Sequence, residues 1–282
     1  MASALTEQAT SRHATVDGLK IHYNDAGSGE TLIFCEGQGP GTSAWVVYHR
    51  VVDALAANFR CVLVDQPGYG KSGAVVVRGE SRSTMYARYV RGLMDALDIR
   101  TATIVDMSFG AQTGQVLAVE SPERVNKLVL HASGVGGPTL FGYQPMEGIT
   151  TMAETFEKPT LASMRRMMNS FLFEGEKYSD AELLLNDRLA AWLSRPELED
   201  ARRKSDRTQR DLTRDLGKVK APVLQIHGRF DRVSPMEAGM RLFNYLPNSR
   251  FVALNHCGHW TPVEKPAEFA RLTIDFVKNC PA

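Results

Sequence analysis

Cysteine is scarce in this chain: Cys35, Cys61, Cys257 and Cys280 are the four among 282 residues, and no pair has C-x-x-C spacing. That excludes a disulfide scaffold and offers neither a zinc ribbon nor a redox pair, so reduced thiols and a cytoplasmic setting are expected. Long apolar runs are also lacking. No stretch of about 18 consecutive apolar residues occurs, and Met1 to Arg12 is polar, without the apolar segment of an export leader. A membrane-spanning protein is therefore not expected. Nor is there a surplus of one charge, since 33 Lys and Arg face 32 Asp and Glu for a formal net charge of +1. Nucleic-acid binding, which needs clustered positive charge, is not expected either. The one basic stretch, Ala201 to Lys204 followed by Arg207, Arg210 and Arg214, is diluted by Asp206 and Asp211. It reads as a solvated helix that helps to attract an anionic substrate. What remains is a globular composition, 43% hydrophobic and 23% charged, enough for one large domain or a domain with an insertion.

Short apolar, β-branched runs recur between helical patterns: Leu19 to Tyr23, Thr31 to Cys35, Cys61 to Asp65, Thr101 to Met107, Lys127 to His131, Pro222 to His227 and Arg250 to Leu254. Several are apolar throughout, without alternation, as strands covered on both faces of a parallel sheet must be. Helices are predicted over Ala44 to Ala56, Ser83 to Leu97, Phe109 to Glu120, Pro235 to Leu246 and Pro266 to Lys278. Strand alternating with helix implies an α/β fold with a doubly wound, mostly parallel sheet. From about residue 137 to 219 the pattern is helical and strandless, and it carries Met146, Met152, Met164, Met167 and Met168. This segment is predicted to be a helical cap inserted between core segments 1–136 and 220–282. Its methionines either pack helices together or line a pocket.

The strongest chemical signal is Val105-Asp-Met-Ser108-Phe-Gly-Ala111, a strand that ends in a serine and is followed by small residues opening a helix. Such a sharp turn lifts the serine Oγ above the sheet edge and leaves the next backbone N–H, that of Phe109, free to stabilise an oxyanion. Asp106 stands where the G-x-S-x-G pattern has its first glycine. Asp231 follows the strand Pro222 to His227, and His259 follows Arg250 to Leu254, so the order is Ser108, Asp231, His259. A hydroxyl becomes a useful nucleophile only when an imidazole takes its proton, and a buried carboxylate must hold that imidazole in the right tautomer. His256 lies nearer the strand and is the poorer base. A second oxyanion donor is expected from the loop Glu36 to Gly41, at the main chain of Gln38. Gly70-Lys71-Ser72 is not a phosphate loop, because Asp65 stands where that motif has its first glycine. His256, Cys257 and His259 do not have metal-ligand spacing, so neither a metal nor a cofactor is expected.

Beyond these residues the chain resembles the meta-cleavage product hydrolases, carbon–carbon bond hydrolases of the α/β-hydrolase fold that act on 2-hydroxy-6-oxo-dienoates from aromatic ring cleavage. The likeness runs through Gly39-Pro40-Gly41 with Trp45, Pro67-Gly68, Gly92 to Ile99, the Ser108 turn, Pro145 to Ile149, Phe171-Leu172, Arg188, Asp231-Arg232 and Cys257-Gly-His-Trp260. The resemblance implies a Ser108, Asp231 and His259 triad with Gln38 and Phe109 as backbone oxyanion donors. It further implies that Arg188 holds the carboxylate end of a small-molecule substrate and that Trp260 and Phe171 form apolar walls; self-association is common in the family. The implied chemistry is tautomerisation of the dienol to a ketone, serine-assisted attack on the distal carbonyl, and release by water of an acid and a hydroxydienoate.

The sequence departs from the family inside the pocket. Met107 replaces an asparagine beside the nucleophile, Val47 aligns with a second pocket asparagine, and the glycine-rich loop becomes Glu36-Gly-Gln-Gly-Pro-Gly41. Apolar or bulky groups thus stand where polar ones meet the substrate's 2-oxygen, which points away from a standard dienoate. Glu36 and Asp106 end neighbouring strands, so their carboxyls are expected beside the nucleophile, sharing one proton. Carbon–carbon hydrolysis of a ring-cleavage product or related ketone is the leading expectation. An esterase or lactonase with the same triad is the second, and a non-catalytic ligand-binding homologue the third.

Overall fold

The computed structural model describes residues 5–108, 112–135, 145–177 and 182–280. Eight strands form one sheet: β1 (Ser11–Val16), β2 (Leu19–Ala26), β3 (Thr31–Cys35), β4 (Arg60–Val64), β5 (Ala102–Met107), β6 (Val125–His131), β7 (Val223–Gly228) and β8 (Ser249–Leu254). Their spatial order is β1-β2-β4-β3-β5-β6-β7-β8; the β1–β2 and β2–β4 pairs are antiparallel and the others parallel. After β3 the chain steps outward to β4 and then returns to β5 on the opposite side. The loops leaving β3 and β5 therefore diverge, and the crevice between them is where sheets of this kind place ligands.

Helices cover the sheet: α1 (Glu7–Thr10), α2 (Ala44–Tyr48), α3 (Val52–Ala56), α4 (Arg82–Ala96), α5 (Thr113–Glu120), α6 (Glu147–Glu157), α7 (Leu161–Phe171), α8 (Arg188–Leu193), α9 (Pro196–Lys204), α10 (Met236–Tyr245), α11 (Thr261–Glu264) and α12 (Pro266–Asn279). Period-two alternation sorts each strand onto two cores. Leu32, Phe34, Leu63, Val105 and Met107 join the cluster under α2, α3 and α12, while Ile33, Cys35, Val62, Val64 and Ile104 join the one under α4, α5 and α10. All six residues of β5 are buried, which accounts for its unbroken apolar character. Among the described residues no helix is long and apolar enough to cross a membrane.

Each strand anticipated from the sequence is present, and the described elements between β6 and β7 are all helical. Met164, Met167 and Met168 are buried in the same cluster as Phe171 and Trp260. Two differences are informative. The helix expected over Ala44 to Ala56 is two, α2 and α3, because Val51 N–H bonds three residues back to Tyr48 O at 2.9 Å and tightens the turn. Val46, Val47, Tyr48, Val51 and Val52 are weak helix formers, so little resists that break. Strand β1 escaped the sequence pattern because only Val16 among its six residues is buried.

A hydrogen-bonded row runs beneath the sheet's carboxyl end. Tyr48 Oη lies 3.0 Å from Cys35 O and 2.9 Å from His131 Nε2, and His131 Nδ1 lies 3.2 Å from Thr261 Oγ1. Tyrosine has one proton to give, and the carbonyl needs it, so His131 Nε2–H donates to Tyr48 Oη and Thr261 Oγ1–H donates to Nδ1. Burial holds this imidazole well below its ordinary pKa, in keeping with a neutral ring. Tyr48→Phe removes two partners at once and should destabilise the fold by about 1–3 kcal/mol. Thermal unfolding should show a melting point several degrees lower, and an unchanged melting point would dismiss the row as a structural element.

Candidate active site

Strand β5 ends in a backbone bend at Ser108, whose φ is 73°, a left-handed conformation uncommon for a residue with a side chain. The bend is pinned by Ser108 N–H donating to His131 O at 3.0 Å. It is also crowded: a Cβ at Gly37 would stand 3.0 Å from the Ser108 Cβ, so glycine there lets the loop after β3 lie against the bend. The serine Oγ is 3.1 Å from His259 Nε2, and His259 Nδ1 is 2.7 Å from Asp231 Oδ2. Asp231 sits in the turn after β7, where its Oδ1 accepts the N–H groups of Val233 and Ser234 at 2.8 and 2.9 Å. Its acceptor oxygens are thus occupied by two fixed amides and one imidazole, which leaves the ring a single tautomer with Nε2 as the acceptor facing Ser108. All three side chains are buried. His256, by contrast, is exposed and stacks parallel to Phe230.

The loop carrying His259 is tied to the helical insertion. His259 N–H donates to Phe171 O at 2.6 Å, and the two rings meet edge to face with centroids 5.4 Å apart. Glu264 adds a second tie: its carboxylate accepts from Gly258 N–H at 2.9 Å and from Phe173 N–H at 2.7 Å. Burial pushes the Glu264 carboxyl up to about 7 against these amide donors. Sequence reasoning missed Glu264 and His131. No motif marks them; each matters through a contact between segments far apart in the chain.

Arg188 opens α8 directly after a π-helical stretch, Glu182–Asp187. It is 1% exposed, not on the surface. Its Nε donates to Pro40 O at 2.8 Å, Nη1 lies 2.9 Å from Met168 Sδ, and the guanidinium sits 5.0 Å from the centre of the Trp260 ring. Its Nη2 has no hydrogen-bond partner and no carboxylate pairs with it among the described residues. Burial lowers its pKa to about 9, so it remains a cation at neutral pH. The loop after β3 wraps it closely: a Cβ at Gly39 would lie 2.6 Å from Nη2, and one at Gly41, where φ is +65°, would lie 2.0 Å from the Arg188 carbonyl. One short loop therefore touches Ser108 through Gly37 and Arg188 through Gly39 and Gly41.

Phe171, Trp260, Met107 and Val47 all lie in one buried apolar cluster. Gln38 is half-buried and faces a cavity of about 570 Å³. Phe109 lies outside the described residues. The proton shared between Glu36 and Asp106 is not seen. Glu36 Oε1 accepts Gln66 N–H at 2.9 Å, Asp106 Oδ2 accepts Gly114 N–H at 2.9 Å, and no hydrogen bond joins the two acids. Glu36 thus serves the backbone just past the neighbouring strand β4, and Asp106 the start of the helix that follows its own strand. Burial, followed by the charge of Asp65, pushes Glu36 well up; burial raises Asp106 to about 7 against its amide donors.

A second serine, histidine and aspartate row exists at the antiparallel edge. Ser11 Oγ is 2.8 Å from His22 Nε2, and His22 Nδ1 is 2.7 Å from Asp65 Oδ2. Ser11, however, lies in a strand with φ −62° and ψ 128°, without the bend that exposes an oxygen to attack a carbonyl. Its aspartate also organises the chain, accepting the N–H groups of Ala44 and Lys71 at 2.9 Å. The Ser108 row instead stands at a left-handed bend, with the loop after β3 lying against it.

A sequence profile described as the alpha/beta hydrolase fold matches residues 30–266. The chain is 39% identical over 286 residues to the 2-hydroxy-6-oxononadienedioate/2-hydroxy-6-oxononatrienedioate hydrolase of Cupriavidus pinatubonensis, covering 98% of both chains. It is 37% identical over 285 residues to the 2-hydroxy-6-oxo-6-phenylhexa-2,4-dienoate hydrolase of Burkholderia cepacia, covering 98% of this chain and 99% of that one. Among solved structures, the 2-hydroxy-6-oxo-6-phenylhexa-2,4-dienoate hydrolase of Rhodococcus superposes with a TM-score of 0.83 over 95% of this chain and 98% of that one, at 23% identity.

The raised Asp106 pKa makes a signed prediction. Between the unfolded carboxyl's ordinary value near 4 and about 7, the native state keeps a proton that the unfolded state has lost, so this residue lowers stability as pH rises through that window. Asp106→Asn keeps an acceptor for Gly114 N–H and cannot ionise. Relative to the parent, its stability should improve by on the order of 1–2 kcal/mol between pH 5 and pH 8 in denaturant titrations. A pH-independent difference would refute the shift.

Proposed function

The chain belongs to the alpha/beta hydrolase family and, within it, to the meta-cleavage product hydrolases, and from that premise we propose that it is a serine-dependent hydrolase cleaving a carbon–carbon bond in an anionic ring-cleavage ketone. The observation that carries this reading is Arg188 Nη2, buried without a hydrogen-bond partner or counter-ion among the described residues and joined to Ser108 by one short loop. A buried cation is costly until an anion completes it, and a guanidinium edge suits a carboxylate. An ordinary ester offers such a cation a neutral carbonyl oxygen but no opposite charge.

In the proposed mechanism Arg188 fixes the dienoate carboxylate, and the apolar walls of Phe171 and Trp260 hold the chain of the substrate. Once the dienol has become the ketone, Ser108 Oγ attacks the distal carbonyl carbon while His259 Nε2, 3.1 Å away, takes the hydroxyl proton. Asp231 steadies the imidazolium through the 2.7 Å bond to Nδ1. The N–H groups of Gln38 and Phe109 receive the oxyanion. The carbon–carbon bond then breaks; the leaving carbon takes the proton held on His259 Nε2 to give the hydroxydienoate, and a water that passes one proton back to His259 attacks the acyl carbon and frees the acid, with Ser108 Oγ reprotonated by His259. Residues 137–219 act as a cap over this site, a role supported by the bond from Phe171 O to His259 N–H. The names of the two relatives share the 2-hydroxy-6-oxo-dienoate unit and differ beyond the ketone, and it is that unit the Ser108 and Arg188 pair addresses.

Apolar Met107 and Val47, both buried, give the esterase reading its place as the second one. The two separate cleanly. Ser108→Ala should abolish fluorophosphonate labelling and lower turnover by at least about 10³-fold. Arg188→Met, which keeps much of the volume, should cut kcat/KM on a 6-oxo-dienoate by about 10²-fold while leaving p-nitrophenyl acetate within about threefold. Equal losses on both substrates would favour the esterase; no labelling of Ser108 would leave a binding protein.

A further inference from the structure

One buried residue, His131, touches three segments that the proposed hydrolysis needs in register. Its main-chain carbonyl, at the end of β6, accepts the Ser108 N–H at 3.0 Å. Two residues on, Ser133 Oγ lies 3.4 Å from Ser108 O and is itself held by Gln115 Nε2 at 3.1 Å, so the bend is gripped at its N–H and at its carbonyl. The ring of His131 serves the other two segments. Its Nδ1 accepts from Thr261, two residues after His259, at 3.2 Å. Its Nε2–H donates at 2.9 Å to Tyr48, whose hydroxyl donates to the carbonyl of Cys35, the last residue before the Glu36 to Gly41 loop. The three bonds run in one sense, from Thr261 through His131 and Tyr48 to Cys35 O, so each donor polarises the next and losing one end weakens the rest. Thr261, His131, Tyr48 and Cys35 are all fully buried, and the imidazole meets Tyr48 and Phe269 edge to face with centroids 5.6 and 5.1 Å apart, which leaves it little room to turn.

We propose that His131 is a positioning residue for the reaction: its main chain fixes the nucleophile, and its ring locks the loop of the base and the loop of the oxyanion donor to the same point. This rests on the reading of Ser108 as nucleophile and His259 as base. Those two residues are 151 positions apart, so their 3.1 Å spacing is only as constant as the frame joining their backbones. Phe171 and Glu264 tie the His259 loop to the end of α7, whereas Thr261 ties it to the sheet on which Ser108 is itself fixed. With the first tie alone, the base would follow α7 and not the nucleophile. A misplacement of about 1 Å between reacting groups can cost about 10²-fold in rate. His131 is closed off from solvent and acts only through Ser108, His259 and the loop after β3.

The test compares Thr261→Val, which keeps the shape and drops the hydroxyl, with Thr261→Ser, which keeps the hydroxyl, and with His131→Phe, which keeps an aromatic ring and the carbonyl that holds Ser108. Val90→Ala, in the core under α4, serves as a variant that lowers the melting point without touching the row. At a temperature where the proteins are folded, Thr261→Val should lose about tenfold in kcat on a 6-oxo-dienoate, with KM within about twofold, and the rate of fluorophosphonate labelling of Ser108 should fall by the same factor. His131→Phe should lose about 10²-fold in both rates, while Thr261→Ser and Val90→Ala stay within about threefold of the parent. The threonine pair decides the matter even where His131→Phe does not fold. No loss in Thr261→Val, a loss confined to KM, no recovery with serine, or an equal loss in Val90→Ala would overturn the role. If the parent is labelled at Ser108 but leaves the dienoate intact, the carbon–carbon reading falls alone and the labelling rates decide the role of His131 by the same criteria. Absence of labelling in the parent would remove the nucleophile and this role together.

Discussion

The left-handed bend at Ser108 is the constraint on which the rest of the site depends. A residue with a Cβ pays a steric penalty there, and the structure holds it in place from several directions. The amide of Ser108 is fixed on His131 O, Gly37 removes the atom that would collide with it, and Asp106 anchors the start of the following helix through Gly114. If the bend relaxed, Oγ would leave the reach of His259 Nε2, and the order of residues along the chain would count for nothing.

Setting, more than residue identity, separates the groups of this protein. Two serine, histidine and aspartate rows with similar spacing exist, yet one lies along an edge strand and stitches β1 to β2 and β4, while the other stands at a left-handed bend after β5. The buried acids divide in the same way. Asp231 accepts two amides and an imidazole. Asp106, with one oxygen left without a partner, is pushed towards its neutral form.

Legibility in the sequence followed the distance over which each signal acts. The strands showed because burial on both faces demands unbroken apolar runs, as in β5, and the elbow showed because a tight turn demands small neighbours. Strand β1 did not, since an edge strand buries one face at most and its residues look polar. The break between α2 and α3 depends on a hydrogen bond that competes with weak helix propensity, and no pattern announces it. Ser108, Asp231 and His259 were nameable from order and strand ends alone. Arg188 was picked out by resemblance, but its burial and its unpaired nitrogen arise from packing against Pro40, Met168 and Trp260. Glu36 and Asp106 end neighbouring strands, yet each turns one oxygen to a backbone amide and no hydrogen bond joins them.

The bonds from Phe171 O to His259 N–H and from Glu264 to both Gly258 and Phe173 make the end of α7 and the loop that carries the imidazole one mechanical piece. A shift of the α7 end would therefore pull directly on the residue whose ring must meet the serine.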